Sequence, residues 1–329
     1  MEKFFNIAEP CNPAKKGPST GRRCNNFLVS LVAIFMAGAA LAACGGTPAK
    51  RVLFIGSDGM SAAVLRRSDV KAPTLRGLMA RGAWSLKART ILPSSSAANW
   101  ASMFQCSGPE QNGYNEWNSR KPIMPPAAVD ANGRFPDIFY RFRAACPNAK
   151  IGYAYGWQGM PFVVDTNVCD FVVQTNAAQK VVLDWIRSAK PDLMAVVFSP
   201  PDGAGHTCGW GSPEYVKAVE AVDADIGRVI AAYEEAGLLA ETLVAFTSDH
   251  GGIEKKHGGT TLDEMERPLF FAGPGVKRGY EIPWVTLCPD VGATIAYVLG
   301  IQPARVWTGR VINDIFEYGN EGQPIPSAK

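Results

Sequence analysis

The chain contains three histidines, and each lies in a loop beside a carboxylate. Asp249 and His250 follow the apolar run 243–246, which is typical of a buried strand. Two glycines come next and His257 lies a little further on; glycine allows the backbone to turn tightly around an ion. Carboxylate and imidazole groups together are typical ligands of a divalent cation such as zinc.

Two further apolar runs end in the same way. The run 193–198 precedes Asp202 and His206, and the run 51–57 ends at Asp58. In an open α/β sheet, ligands bind at the carboxyl ends of the strands, so we expect these side chains to meet there. A polar turn with solvated side chains is the alternative for any one stretch, but it does not explain why every histidine lies beside such an ending. The sequence therefore predicts a metal site.

The composition narrows the class of protein. The chain has 329 residues, 47% of them hydrophobic, and a formal net charge of +3. This length is sufficient for one large α/β domain or two small ones. The charge is near balance and no basic run is interleaved with aromatic residues, so we expect no nucleic-acid-binding surface. The cysteines show no CxxC spacing, which argues against a cysteine zinc cluster.

The first 43 residues have the features of an export signal. A polar, basic segment precedes the apolar run 27–43, which is too short and too rich in alanine and glycine for a membrane span. Cys44 directly follows the run, and the resulting sequence LAAC resembles the bacterial lipobox. We predict a lipoprotein-type signal peptide over residues 1–43 and a lipid anchor at Cys44. The protein would be exported to the periplasmic or cell-surface side, at the outer membrane; a plain secretory signal or an uncleaved anchor is the alternative.

Strands and helices alternate along the rest of the chain, which predicts an α/β fold with a mostly parallel sheet and helices on both faces. No repeat or linker divides it, so we predict one catalytic domain over residues 51–317, with a tether at 44–50 and a loose tail at 318–329. The predicted strands are 51–57, 84–90, 151–155, 193–198, 243–246 and 268–272, and the main predicted helices are 74–81, 97–104, 139–145, 176–189, 213–236 and 290–299.

A serine-rich loop supplies a candidate nucleophile. Ser94, Ser95 and Ser96 precede the segment 97–104, which is predicted to be helical, so Ser96 lies at a helix N-terminus. Free N–H groups and the helix dipole favour an anion there. A simple helix cap is the alternative role for Ser96, and the two preceding serines are rival nucleophiles.

The order of these motifs resembles that of the alkaline phosphatase superfamily, and within it the type I phosphodiesterase and nucleotide pyrophosphatase branch. The resemblance extends from about Arg51 to Phe316 and implies an alkaline-phosphatase-like three-layer sandwich. In that branch the nucleophile is a Thr or Ser with an Asn three residues later, which here selects Ser96 and Asn99 as catalytic residues.

The resemblance also implies two divalent metal ions, expected to be Zn²⁺. Two cations about 4 Å apart can hold both the attacking and the leaving oxygens of an in-line displacement. Asp202, His206 and His257 would ligate one ion. The ligands of the other would be Asp58, Asp249, His250 and the Ser96 oxygen.

The expected activity is hydrolysis of phosphodiester or pyrophosphate bonds in a small-molecule substrate, through a covalent phosphoseryl intermediate on Ser96. Ala97 stands where the branch has an aromatic residue, and no Arg or Lys near Ser96 matches a dianionic monoester. A phosphomonoesterase or phosphonate hydrolase is the alternative on the same scaffold, and a lipid-anchored protein that binds metal or a phosphoester without turnover is the alternative from another class. Five aromatic residues in the loops are candidates for a leaving-group pocket or a packed lid: Trp100, Tyr114, Trp117, Trp157 and Trp210.

Overall fold

The computed structural model describes residues 49–116 and 120–317. The predicted signal peptide, Cys44 and most of the tether, Trp117, and the tail 318–329 lie outside these residues, and the predictions made for them stay predictions. Within the described ranges no helix is both long enough and apolar enough to cross a bilayer.

Among residues 49–116 and 120–317, eight strands form a single sheet with the order β4-β3-β5-β1-β6-β7-β2-β8. They are β1 (Arg51–Ser57), β2 (Ala83–Arg89), β3 (Ile151–Tyr155), β4 (Phe171–Gln174), β5 (Leu193–Phe198), β6 (Thr242–Thr247), β7 (Glu266–Ala272) and β8 (Tyr280–Glu281).

Eleven α-helices accompany these strands in the described part of the chain, with short 3₁₀ turns between some of them. The helices are α1 (Ala62–Leu65), α2 (Pro73–Arg81), α3 (Ser96–Phe104), α4 (Pro109–Asn112), α5 (Ile138–Ala145), α6 (Met160–Val163), α7 (Lys180–Ala189), α8 (Asp202–Cys208), α9 (Pro213–Glu235), α10 (Leu262–Met265) and α11 (Cys288–Val298).

The centre of the sheet is parallel. Strand β1 lies between β5 and β6 and pairs in parallel with both, so its carboxyl end is flanked by theirs. Strand β7 is antiparallel to its two neighbours, β6 and β2. The sheet is therefore mixed but mostly parallel, as predicted, and three strand ends deliver loops to one edge.

Both faces of the sheet are covered, which gives three layers. Along β1 the side chains alternate: Val52 and Phe54 join a core with α3, α5 and α11, whereas Leu53 and Ile55 join a core with α2, α7 and α9. A strand buried on both faces shows the continuous apolar run seen in the sequence. The predicted three-layer α/β sandwich is confirmed.

Candidate metal centre and nucleophile

Three neighbouring strands position the candidate ligands at one edge of the sheet. Asp58 follows β1 directly, and Asp249 with His250 follows β6. Beyond β5, Asp202 is the first residue of α8 and His206 lies four residues later. Residues at this spacing are neighbours on one helix face, so the two side chains point the same way. The predicted convergence is present in the structure.

Each histidine has one ring nitrogen held by a backbone carbonyl. The Nδ1 of His206 lies 3.0 Å from the carbonyl oxygen of Lys255, and that of His250 lies 2.7 Å from Gly251 O. His257 makes the same contact with Ser94 O at 2.9 Å. A carbonyl oxygen only accepts, so each Nδ1 donates its proton, and the lone pair of the neutral ring lies on Nε2. All three imidazoles are thus in the tautomer that ligates metal through Nε2.

The ligand atoms form two overlapping groups. Asp202, His206 and His257 form one, and Asp58, Asp202 and His250 form the other; within each group the ligand atoms lie within 4.8 Å of one another. This grouping differs from the predicted one, because Asp202 takes part in both groups and Asp249 in neither, although Asp249 Oδ2 lies 3.3 Å from Nε2 of His250. The Asp202 carboxylate therefore lies between the two candidate sites.

Two carboxylate oxygens in this cluster have no hydrogen-bond partner among the described residues: Oδ1 of Asp202 and Oδ2 of Asp249. Asp249 is fully buried, and this oxygen lies 3.3 Å from Nε2 of His250. The other carboxylate oxygen of Asp249, Oδ1, accepts a hydrogen bond from the backbone N–H of Gly59 at 3.0 Å. Buried carboxylate oxygens without donors are costly unless a cation is bound. The donor set and its unpaired oxygens therefore fit divalent metal ions.

The electrostatics of the cluster agree with that assignment. Burial raises the pKa of Asp58 well above its usual range, and the neighbouring charges of Asp249 and Asp202 raise it further. Burial lowers the pKa of His250, and burial together with nearby His250 lowers the pKa of His257 to about 4. Both imidazoles are consequently neutral at pH 7, the form that binds metal, while the carboxylates repel one another until a cation balances them.

Of the three loop serines, Ser96 faces the cluster. Its Oγ lies 3.4 Å from Oδ1 of Asp58 and 3.3 Å from Nε2 of His250. Ser94 is occupied elsewhere, since its hydroxyl donates to Gly259 O at 2.7 Å and accepts from Gly258 N at 3.0 Å. The geometry therefore favours Ser96 over Ser94 as the candidate nucleophile.

The N-terminus of α3 is open beside Ser96. Within the described chain, Ser95 at the N-cap makes no side-chain capping bond, and its buried Oγ has no partner. The first helical bond is donated by Asn99 N–H to Ser95 O at 3.1 Å. The N–H groups of residues 96–98 therefore have no intrahelical acceptor, and they are able to bind an anion.

The sequence comparison decides the family. Residues 52–273 match the family model for type I phosphodiesterase / nucleotide pyrophosphatase. The chain belongs to this family.

Two solved structures resemble most of this chain. Murine ectonucleotide pyrophosphatase / phosphodiesterase 5 has a similar structure, with a TM-score of 0.68 and 13% identity over 81% of this chain and all of that one. A phosphonate monoester hydrolase from Silicibacter pomeroyi gives a TM-score of 0.61 and 16% identity, covering 81% of this chain and 76% of that one. At such low identity these likenesses show the fold, which is that of the alkaline phosphatase superfamily.

Curated relatives match only in part. The 2,3-bisphosphoglycerate-independent phosphoglycerate mutase of Halobacterium salinarum is 30% identical over 149 residues, 40% of this chain and 26% of that protein. The Vibrio vulnificus mutase is 24% identical over 208 residues, 61% of this chain and 39% of that protein. The chain thus matches well under half the length of either enzyme.

The family resemblance had predicted that Asn99 contacts substrate, but its side chain is committed elsewhere. Nδ2 donates to the carbonyl oxygens of Pro93 at 3.0 Å and Ser95 at 2.9 Å, with a longer contact to Ile91 O at 3.4 Å. Its Oδ1 accepts from Ile91 N at 2.8 Å and from the Cys288 thiol at 3.2 Å. Asn99 is fully buried. These contacts indicate that it fixes the nucleophile loop.

The predicted pocket aromatics lie in different surroundings, and Trp117 is outside the described residues. Trp100 is completely buried and packs on Phe104 and Phe54, so its assignment to a pocket was wrong. Tyr114 is also buried, and its hydroxyl donates to Phe162 O. Trp157 is partly buried and packs against the core that contains α3, whereas Trp210 lies directly against two of the candidate ligands.

Sequence reasoning missed the groups that orient the ligands. The carbonyls of Ser94, Gly251 and Lys255 belong to the backbone, and a backbone acceptor leaves no mark in residue types. The hydroxyl contacts of Ser94 with the turn after His257 were equally invisible. The available signal was the glycine content of that turn, which predicted a tight backbone path but not its partners.

Proposed function

We propose that the protein is a metal-dependent hydrolase of phosphodiester or pyrophosphate bonds in small molecules, acting through a covalent phosphoseryl intermediate on Ser96. One observation carries the proposal. The Ser96 hydroxyl lies within 3.4 Å of Asp58 and His250, at the open N-terminus of α3. A nucleophile, a cation-binding cluster and an anion-binding helix end thus coincide.

The chain supplies ligands for two divalent metal ions, and the mixture of imidazole and carboxylate fits Zn²⁺. Asp202, His206 and His257 would hold one; Asp58, Asp249 and His250 would hold the other. When bound, such ions withdraw charge from the nucleophile and from the leaving oxygen.

The remaining steps belong to the residues of the chain. The contacts with Asp58 and His250 orient the Ser96 Oγ for attack. The bond between Ser96 Oγ and phosphorus forms while the bond between phosphorus and the leaving-group oxygen breaks. The proton of the Ser96 hydroxyl is released to solvent. The N–H groups of residues 96–98 donate to the phosphoryl oxygens as their charge grows. Water then attacks phosphorus, the Ser96–phosphorus bond breaks, and the serine recovers a proton.

The test combines metal content with turnover. The purified mature domain, loaded with zinc, is expected to hold about two ions per chain and to hydrolyse bis-p-nitrophenyl phosphate with a higher kcat/KM than p-nitrophenyl phosphate. Ser96→Ala is expected to retain the metal and to lose at least about 10³-fold in kcat, because it removes the nucleophile. Ser95→Ala is the matched control and is expected to remain active.

Two other outcomes would replace or reject the proposed diesterase activity. Preference for the monoester would replace the diesterase by a phosphomonoesterase on the same site. Bound zinc without turnover of either ester, together with an unaltered Ser96→Ala variant, would favour a metal-binding or phosphoester-binding protein and reject the hydrolase.

A further inference from the structure

Trp210 lies among the segments that carry the metal ligands, although an indole offers no ligand atom. Its ring centroid is 5.1 Å from that of His206 and 6.0 Å from that of His257, and it meets both rings edge-on, at 85° and 70°. The sequence placed Trp210 among residues for a leaving-group pocket. Its contacts point to a different role.

The indole N–H fixes the turn that follows β1. Nε1 of Trp210 donates to the carbonyl oxygen of Gly59 at 2.9 Å, and the Tyr215 hydroxyl donates to the same oxygen at 2.7 Å. That hydroxyl also accepts the N–H of Ser61 at 2.9 Å. Gly59 directly follows Asp58, so two donors on one carbonyl set the position from which this carboxylate projects.

Two glycines leave the space that the indole fills. A Cβ on Gly205 would lie 2.6 Å from the indole, and one on Gly252 would lie 2.2 Å from it, both closer than real Cβ atoms approach. Gly205 precedes His206 in α8, and Gly252 lies in the loop between His250 and His257. The ring is therefore in van der Waals contact with both segments.

The backbone of Trp210 is joined to the same loop. Its N–H donates to the carbonyl oxygen of Glu254 at 2.7 Å, within the tight turn that leads to His257. One residue thus contacts the β1 turn, α8 and the 249–257 loop, the three segments that supply every candidate metal ligand except Ser96. None of these contacts requires substrate.

We propose that Trp210 is a positioning residue that holds these three segments at the spacing required by the two metal ions. The inference rests on the proposed metal-dependent function, because it needs metal to be bound. Side chains behind the ligands typically change metal affinity by about 10–100-fold when removed.

Zinc binding tests the proposal without any substrate. The apo forms of the wild type, Trp210→Phe and Trp210→Ala are titrated with Zn²⁺ in competition with a chromophoric chelator, and their thermal unfolding is recorded in parallel. Trp210→Phe removes the bond to Gly59 but keeps an aromatic ring. It is expected to bind zinc about 10-fold more weakly, and Trp210→Ala up to about 100-fold more weakly. Saturating zinc is expected to restore part of the kcat of Trp210→Phe.

Trp185→Phe provides a matched control. Trp185 is also partly buried and covers a glycine, since a Cβ on Gly152 would lie 2.4 Å from its ring. It stacks on Phe171 at 4.8 Å, away from the ligands. This variant is expected to lose some thermal stability and to keep wild-type zinc affinity.

The outcomes separate the two proposals. Wild-type affinity in both Trp210 variants, or an equal loss in Trp185→Phe, would overturn the positioning role and leave the metal centre intact. A wild-type protein that binds no zinc would overturn the proposed function and this inference with it. If Trp210→Ala fails to fold, the Trp210→Phe titration decides.

Discussion

The role that a side chain can take in the candidate site depends on the groups that hydrogen-bond to it. The three histidines and their neighbouring carboxylates were recognisable as candidate ligands because residue type and the position after an apolar run can be read from the sequence. Their tautomers were not, since each Nδ1–H is bound by a backbone carbonyl brought there by the fold. The choice of Ser96 over Ser94 needed coordinates for the same reason: the Ser94 hydroxyl is bound to a turn far along the chain.

Asn99 gives a prediction at this scale. Replacing it with Ala removes the side-chain donors to Pro93 O and Ser95 O and leaves Ile91 N–H without its acceptor. We expect Asn99→Ala to lower the free energy of unfolding of the metal-free protein by about 2–4 kcal/mol, since each lost buried bond costs about 1–2 kcal/mol. kcat should fall with it, because the loop that carries Ser96 loosens. Urea denaturation and steady-state kinetics measure the two effects.

The matched variant is Ser102→Ala, which removes one buried hydrogen bond from the same helix, to Ala98 O, away from the loop. It is expected to lower stability modestly and to leave kcat unchanged. An Asn99→Ala protein with wild-type stability and a large loss of activity would contradict the structural role and return Asn99 to the substrate.

At the scale of elements, the apolar runs and helix signals were sufficient for the main strands and helices. Helix α9 begins at Pro213, as predicted, and the Ser212 hydroxyl caps it by accepting from Tyr215 N. The helix predicted from residue 176 begins later, at Lys180. The Asn176 side chain lies so close to Gly156 that a Cβ there would clash with it. Asn176 therefore belongs to the loop before α7 and packs against the residue that follows β3.

Asp137 links two elements and predicts a pH dependence. Its carboxylate caps α5 by accepting Tyr140 N–H at 2.8 Å, and it also accepts the N–H of Asp165 at 2.6 Å. Burial raises the pKa of Asp137 from 3.8 to about 7. Between these values the native state holds a proton that the unfolded state has lost. The stability contributed by this group therefore falls as pH rises from about 4 to about 7.

Asp137→Asn cannot ionise, so it lacks this slope. The variant loses an acceptor and is expected to be less stable than the wild type at pH 4.5, with the difference shrinking by up to about 3 kcal/mol as pH reaches 8. Urea denaturation across this range measures it. Ser102→Ala, which replaces no ionisable group, is expected to differ from the wild type by a constant amount across this range. The same constant difference for Asp137→Asn would rule out the coupling.

For the whole molecule, length and alternation predicted one layered α/β domain, and the structure has it from Arg51 to Glu317. The antiparallel direction of β7 was not predictable from the sequence. An apolar run has the same residue pattern in a parallel and in an antiparallel strand, and the direction depends on the strands with which it pairs. The predicted export signal rests on the sequence alone, because residues 1–43 lie outside the described residues. We propose that Cys44 carries a lipid and retains the exported protein at the outer membrane.

Cys44→Ser tests this anchor. The wild type, expressed in a bacterial host, is expected to incorporate radiolabelled palmitate and to sediment with outer membranes. The variant should incorporate none, because serine has no thiol to modify. Cys208→Ser, an exposed cysteine on α8, is the control and should be labelled like the wild type. Labelling of the Cys44→Ser protein would exclude the anchor at this position.

The direction of β1 sets the orientation of such an anchored enzyme. The described chain enters β1 at Arg51, on the edge of the sheet opposite to Asp58, and a strand of seven residues spans about 23 Å. From Cys44 to Lys50 there are six residue steps, which reach about 20 Å even when fully extended. A lipid at Cys44 would therefore hold the amino edge of the sheet within about 20 Å of the bilayer, while the candidate site lies at the opposite edge. Phosphoesters dissolved in the surrounding fluid would then have access to the candidate site from the side away from the tether.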